Sequence, residues 1–236
     1  MLFTLSSKKV KELCGGNCAE SDSAQFPPYD FPRLDFLSES QYDTENVDLL
    51  ERRQTMPEES KLVKRAEEFA RKKHAGQFRE HKAHQPFIIH PEEVYILVRD
   101  SGGKEEEEAA SWVHDTVEDT PTTLDEIEKE LGLKVREIVD GLTDPPEFKG
   151  LPLLVRKARQ AERVRSKSPS IKRVKLADQI VNMLSLIDNA PVTWTKEKCY
   201  DYAQGARLVA IACKGVDDFL DAQAELAYIE VMKHLA

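Results

Sequence analysis

One short segment gathers four side chains that can bind a metal or accept a proton. It reads Val113-His114-Asp115-Thr116-Val117-Glu118-Asp119-Thr120. On a helix, residues three and four positions apart are neighbours, so His114 is expected beside Glu118, and Asp115 beside Glu118 and Asp119. Burying carboxylates is costly unless they are paired or bind a cation. The pattern indicates a metal-dependent active site, with an exposed acidic stripe as the alternative.

Two further residues could complete such a site. Asp178 lies within an apolar helical segment, and His90 follows Phe87-Ile88-Ile89 directly before Pro91. A lone histidine on an apolar face is more often a core residue than a ligand. Two histidines and two aspartates together, however, form a mixed nitrogen and oxygen set suited to manganese, iron or zinc. His90, His114, Asp115 and Asp178 are therefore the candidate ligands.

The elements that must position these residues are predicted to be helices. Apolar residues recur every three or four positions from about Pro57 until Gly76, and Pro91 is predicted to open a helix at its first position. The acidic run Glu105–Glu108 suits the first turn of a helix that continues to about Asp119. Thr123 and Glu126 resemble a capping box for a helix that ends at Gly132. Further helices are predicted at about 134–141, 153–165, 170–188, 196–213 and 216–234.

The predicted organisation is a mostly irregular extension followed by one helical domain. Residues 1–56 carry Gly-Gly and Pro-Pro punctuation without a sustained helical period, whereas residues 57–236 show no alternating strand pattern. We therefore expect an all-α fold. The aromatic cluster of the extension (Phe26, Tyr29, Phe31 and Phe36) could cover the domain or contact a partner.

Composition narrows the classes of partner. The formal net charge of -9 argues against a general nucleic-acid binder. No apolar run approaches the ~20 residues that cross a bilayer, and no secretory signal is evident, so no membrane is expected and a cytoplasmic protein is predicted. One basic run extends from Arg156 to Lys175; it is either a solvated helix face or a surface that attracts an anionic substrate. The oligomeric state is not indicated.

Several motifs occur in an order that resembles one family. They are the His-Asp pair followed by Glu118-Asp119-Thr120, and His74-Ala75-Gly76-Gln77-Phe78-Arg79, Pro86-Phe87-Ile88-Ile89-His90-Pro91, Asp140-Gly141-Leu142-Thr143 and Lys175-Leu176-Ala177-Asp178. Together they resemble the HD hydrolase domain of the RelA/SpoT homologues, and above all the small stand-alone alarmone hydrolases of the metazoan SpoT homologue type. The resemblance spans roughly residues 58–235 and implies an HD-domain helical bundle.

The resemblance also implies an activity and assigns roles. The activity is a manganese-dependent pyrophosphohydrolase that releases pyrophosphate from the ribose 3′ position of guanosine tetra- and pentaphosphate, the alarmones of the stringent response. His90, His114, Asp115 and Asp178 take the metal-ligand positions, and Glu118 and Asp119 those that orient and deprotonate the attacking water. Arg79, Lys157, Asn182 and Tyr202 occupy the positions of nucleotide contacts. No synthetase domain is expected beside the hydrolase.

Four positions depart from the pattern of the family. Glu80 and Gln179 stand where basic residues are usual, Phe87 replaces a tyrosine, and Ser185 replaces a threonine. Losing two cations near an anionic nucleotide could change affinity or substrate choice. Two alternatives therefore stay open: an HD phosphohydrolase for another nucleotide, such as a phosphatase of NADPH, and a non-catalytic partner that neutralises an alarmone synthetase.

Overall fold

The computed structural model describes residues 60–79 and 85–236. The expected extension over residues 1–56 and the departure at Glu80 therefore lie outside the described residues. Within the described part, the chain is helical and forms no strand. The helices are α1 (Lys61–Lys73), α2 (Ile89–Asp100), α3 (Glu105–Val113), α4 (Thr116–Asp119), α5 (Leu124–Leu131), α6 (Leu133–Leu142), α7 (Leu153–Val164), α8 (Pro169–Asp188), α9 (Lys196–Cys213) and α10 (Asp218–Leu235).

The local signals in the sequence set most helix ends. The side chain of Thr123 accepts a hydrogen bond from the backbone N–H of Glu126, as the predicted cap requires. The carboxylate of Glu126 contacts Lys73 instead of closing the capping box. Helix α2 begins two residues before the predicted start, so Pro91 occupies its third position. Proline is tolerated there because the N–H groups of the first turn have no partner within the helix.

Two hydrophobic clusters share helix α8. The first cluster joins α8 to α1, α2, α3, α5 and α6, and the second joins it to α7, α9 and α10. Val174 and Ala177 face the first cluster, whereas Leu176 and Ile180 face the second. A helix that is apolar all round is buried on all sides. Asp178 therefore lies where the two clusters meet.

The predicted helix through Asp119 is interrupted at His114 and Asp115. Both residues keep right-handed backbone angles, but the continuous helix ends at Val113 and only the short helix α4 follows. The prediction of one unbroken helix was therefore wrong. Thr120, which precedes Pro121, is extended and ends α4 as predicted.

Two side-chain hydrogen bonds to backbone carbonyls accompany this interruption. His114 Nδ1 donates to the carbonyl of Ser111 at 2.8 Å, and Thr116 Oγ1 donates to the carbonyl of Val113 at 2.7 Å. Such bonds compete with the regular hydrogen bonds of a helix. The break gives His114 and Asp115 directions that an unbroken helix would not allow.

None of the helices in the described residues is long and apolar enough to cross a membrane.

Candidate active site

Four predicted ligands converge between α2, the α3–α4 break and α8. One ligand atom each from His90, His114 and Asp115 lies within 4.8 Å of the others. His90 Nε2 lies 3.4 Å from both Asp115 Oδ2 and Asp178 Oδ1, and His114 Nε2 lies 3.2 Å from Asp115 Oδ1 and 3.9 Å from Asp178 Oδ1. The structure thus brings together residues that are far apart in the sequence.

Hydrogen bonds on the outer side of the cluster fix the orientation of its members. Because Ser111 offers a carbonyl, His114 Nδ1 must donate, which leaves Nε2 directed at the aspartates. This Nε2 is buried without a hydrogen-bond partner. Asp178 Oδ1 accepts from Asn182, and Asp178 Oδ2 accepts from Gln179 at 2.8 Å. Partners of this kind hold metal ligands in one orientation.

The charges of the cluster favour a cation at its centre. Burial lowers the pKa of His114, but Asp115 and Asp178 outweigh burial and raise this pKa to about 9. Burial opposes ionisation of Asp178, yet Lys175 and the two histidines hold the pKa of its carboxyl well below the usual range. The carboxyl of Asp115 likewise has a lowered pKa, against its burial, because of His114 and His90. Either a proton on histidine or a metal ion satisfies such a site.

The donor set also fits the size of a divalent metal. Atoms bound at about 2.1 Å around a first-row metal stand roughly 3.0–3.4 Å apart. The nitrogen and oxygen atoms of the cluster are separated by 3.2–3.9 Å. Only a small contraction is needed to close them around an ion. The unpartnered Nε2 of His114 supplies a lone pair once its proton is lost.

Glu118 and Asp119 line the pocket beside the metal cluster. The backbone N–H of Asp144 donates to Glu118 Oε1 at 2.7 Å, and Gln77 donates to the backbone carbonyl of Asp119 at 3.0 Å. Although both side chains keep exposed surface, desolvation raises the pKa of Glu118 to about 7 and, together with Asp115, that of Asp119 to about 6. Carboxylates with such values can accept a proton near neutral pH.

The four predicted nucleotide contacts also line this pocket, which has a volume of about 240 Å³. Arg79 donates to Asn182 Oδ1 at 3.0 Å, and Asn182 in turn donates to Asp178. Lys157 Nζ lies 4.5 Å from the centre of the Tyr202 ring. Burial raises the pKa of Tyr202, so its hydroxyl stays protonated. The pocket therefore combines cations, an amide and a hydroxyl with the acidic pair.

Comparison with known proteins identifies the fold. A family model described as an HD domain matches residues 66–204. The chain belongs to the HD domain family. The guanosine-3′,5′-bis(diphosphate) 3′-pyrophosphohydrolase MESH1 of Homo sapiens is 35% identical over 182 residues, which cover 76% of this chain and 96% of that protein. The protein of the same activity name from Aquifex aeolicus is 35% identical over 55% of this chain but only 18% of its own length.

A solved structure agrees with these relatives. It is described as a metazoan ortholog of SpoT that hydrolyzes ppGpp, and it matches with a TM-score of 0.68 at 27% identity. The match covers 74% of this chain and 98% of that chain. The resemblance to the metazoan SpoT homologues and the all-α fold of the HD domain are thereby confirmed.

Four residues of the HD domain pocket were missed as individual candidates: Asp144, Arg156, Gln160 and Lys175. The basic run contains Arg156 and Lys175, but only the fold shows which of its cations face the pocket. Lys175 also lies three residues before Asp178 and contacts it at 3.2 Å, a helical spacing that could have been noticed. Nothing in the sequence pattern marks Asp144 or Gln160, which bond each other across the loop after α6.

The described departures from the family pattern have structural roles. Phe87 stacks on His74 with the ring centres 4.6 Å apart and meets His90 edge-on. Ser185 donates to the backbone carbonyl of Asn182 at 2.9 Å. Gln179 is buried; its amide oxygen accepts a hydrogen bond from Lys157, and its amide nitrogen donates one to Asp178. None of these substitutions removes a candidate metal ligand or a member of the acidic pair.

Proposed function

We propose that this chain is a divalent-metal-dependent guanosine 3′,5′-bis(diphosphate) 3′-pyrophosphohydrolase. One observation carries the proposal: a histidine–aspartate cluster sized for a metal lies in the same pocket as two carboxylates with raised pKa values and several cations. Relatives named for this reaction support it, and one of them is covered over 96% of its length. The substrate class is an anionic nucleotide.

His90, His114, Asp115 and Asp178 would hold the metal, which we propose to be manganese, with iron or zinc as other first-row choices. The chemistry that such an ion supplies when bound is a lowered pKa of water and polarisation of a phosphoryl oxygen. Hydrogen bonds from Asn182 and Gln179 keep the carboxylate of Asp178 facing the histidines. The protein therefore contributes a preset ligand geometry rather than one formed on binding.

Glu118 and Asp119 act on the attacking water. Glu118, held by the N–H of Asp144, accepts one proton as the water oxygen bonds to the phosphorus next to the ribose. Asp119 orients the same water. The bond between this phosphorus and the ribose 3′ oxygen breaks, and the 3′ oxygen leaves and takes up a proton from solvent, so that a 3′ hydroxyl and pyrophosphate are formed. The water oxygen ends in the released pyrophosphate.

Arg79, Lys157, Asn182 and Tyr202 position the nucleotide in this proposal. Arg79 and Lys157 offer positive charge to phosphate oxygens, which form their strongest hydrogen bonds with charged donors. Asn182 and Tyr202 offer an amide and a hydroxyl for the ribose or the phosphates. Arg156 and Lys175 add positive charge to the same walls.

Product analysis separates this function from its rivals. Purified protein with manganese is incubated with guanosine tetraphosphate or NADPH, and released pyrophosphate and phosphate are assayed separately. We expect pyrophosphate from the first substrate and much slower phosphate release from the second. Faster phosphate release from NADPH would instead support the other phosphohydrolase. Binding of an alarmone synthetase without turnover of either nucleotide would support a non-catalytic partner.

We also propose that residues 57–236 form the catalytic domain and residues 1–56 an appended extension. The family match over residues 66–204 supports this boundary. A variant that lacks residues 1–56 should unfold cooperatively at an unchanged temperature. Its kinetics then show whether the extension covers the mouth of the pocket: an unchanged KM would rule out that role.

A further inference from the structure

Lys157 is an unusually enclosed lysine. Only 3% of its surface is exposed, although it lines the pocket. Its ammonium group donates to Gln179 Oε1 at 2.7 Å and lies over the ring of Tyr202. The side chain is therefore fixed in one position before any ligand arrives. Burial, and to a smaller extent the nearby Lys175, lower the pKa of this amine to about 7, whereas a bound anion favours its charged form.

Gln179 links this ammonium to the metal cluster. Its Oε1 accepts from Lys157, and its Nε2 donates to Asp178 Oδ2 at 2.8 Å. Both ends of the amide are thus used by the protein, and the residue is 1% exposed. An amide suits this position because it accepts from a cation on one side and donates to a carboxylate on the other. A basic side chain at 179 would face Lys157 with a like charge.

Gly205 provides the space for the stem of Lys157. A Cβ at this position of α9 would lie 2.6 Å from Lys157 Cγ and 2.8 Å from Lys157 Cβ, which is too close. These atoms are next to the backbone of α7, so they cannot move aside as the end of a side chain can. Glycine is unfavourable within a helix. Its presence in the middle of α9 is explained by this close approach.

We propose that Gly205 and Gln179 are positioning residues that set Lys157 for an anionic nucleotide. Gly205 allows the stem of Lys157 to lie against α9, and Gln179 fixes the ammonium and joins it to Asp178. This inference rests on the proposed function. Because the cation is already oriented, a phosphate group meets it without the entropy loss that ordering a free lysine would require.

A double-mutant cycle tests the role of Gly205. The variants are Gly205→Ala, Lys157→Met and the two combined, assayed for KM and kcat with guanosine tetraphosphate and manganese. Gly205→Ala should raise KM roughly tenfold, the loss of about one charged hydrogen bond, with a smaller effect on kcat. In the Lys157→Met background it should raise KM much less, because no ammonium remains to be displaced and only the shift of α9 is left. An equal rise of KM in both backgrounds would overturn the proposal.

Gly141→Ala is the matched control. Its Cβ would lie 2.3 Å from Ile171 Cδ1 and 2.9 Å from Ile171 Cγ1, so it introduces a clash between α6 and α8 away from Lys157, although with atoms nearer the end of a side chain. It should lower the free energy of unfolding and leave KM unchanged. If Gly141→Ala raises KM as much as Gly205→Ala, the effect is general destabilisation and the inference fails.

Two variants test the amide: Gln179→Met alone and Gln179→Met combined with Lys157→Met. Gln179→Met removes both hydrogen bonds at similar length and should raise KM, whereas in the Lys157→Met background it should change KM much less, because no ammonium remains to be positioned. An equal rise of KM in both backgrounds would contradict the proposal. If the wild-type protein does not hydrolyse guanosine tetraphosphate, the proposed function fails on its own. The same variants are then compared by calorimetry with inorganic pyrophosphate as the anion, and equal affinities would overturn the inference.

Discussion

At the scale of single residues, each of these site side chains is oriented by only one or two hydrogen bonds. His114 is directed by one carbonyl, Glu118 by one backbone N–H, and Asp178 by two amides. The residue types and their order predicted the candidate metal ligands and the acidic pair, and the resemblance to the family assigned their roles. The bonding partners Ser111, Asp144 and Gln179 could not be deduced, because two of them act through backbone atoms that any residue possesses.

The pH dependence of turnover should reflect Glu118. Desolvation raises the pKa of Glu118 to about 7, and only the ionised form accepts a proton. Activity should therefore rise as the pH increases from about 6 to 8 and fall as the carboxylate is protonated at lower pH. A bound cation lowers the pH at which activity is half-maximal, but activity still rises with pH. kcat measured against pH for wild type and for Glu130→Gln, an exposed control, should show this rise. A flat profile in both would contradict the assignment.

At the scale of elements, the helix periods were predicted closely but their interruptions were not. The prediction at 196–213 coincides with α9, because apolar spacing and the cap at Thr195 act locally. At the break between α3 and α4, His114 and Thr116 donate to backbone carbonyls, and helix propensity does not indicate these bonds. This break, rather than an unbroken helical face, gives the metal candidates and the acidic pair their relative positions.

Thr116→Val tests the importance of this break. Thr116 is fully buried, and valine keeps its shape while removing the donor to the carbonyl of Val113. We expect the free energy of unfolding to fall by about 1 kcal/mol and kcat to fall more than KM changes. Ser111→Ala removes a comparable hydroxyl bond to the carbonyl of Glu107, and it should cost less because that bond lies within a regular helix. Urea denaturation and steady-state kinetics measure both effects; a Thr116→Val enzyme with unchanged kcat would contradict the account.

At the scale of the whole molecule, the pocket lies where the two hydrophobic clusters meet. His90 belongs to a helix of the first cluster, and His114 follows directly after another helix of that cluster. Lys157 and Tyr202 belong to helices of the second cluster, and Asp178 belongs to the helix that the clusters share. The sequence indicated that α8 is apolar throughout, but not that it is enclosed by two clusters. Long-range packing of this kind decides which cations of the basic run reach the pocket. The resemblance to the family pointed to Lys157, whereas Arg156 was not predicted.

Metal binding should therefore stabilise the fold. Because its ligands come from separate helices, the ion binds the folded chain and not the unfolded one. At a free manganese concentration roughly 100 times the Kd, the free energy of unfolding should rise by about 2.7 kcal/mol. His114→Ala should lose this increase, whereas His234→Ala, an exposed histidine of α10, should keep it. Denaturation with manganese and with a chelator tests the claim; equal stabilisation of His114→Ala would refute it.

The most direct test of the central claim is metal-dependent pyrophosphate release from guanosine tetraphosphate. Wild type, His114→Ala and Glu118→Gln are compared with manganese and with a chelator, while nucleotide binding is followed by calorimetry. The account predicts turnover by the wild type with manganese, no turnover by His114→Ala, and a Glu118→Gln enzyme that binds nucleotide but has lost most of its kcat. Full activity of either variant, or undiminished wild-type turnover in the chelator, would contradict it.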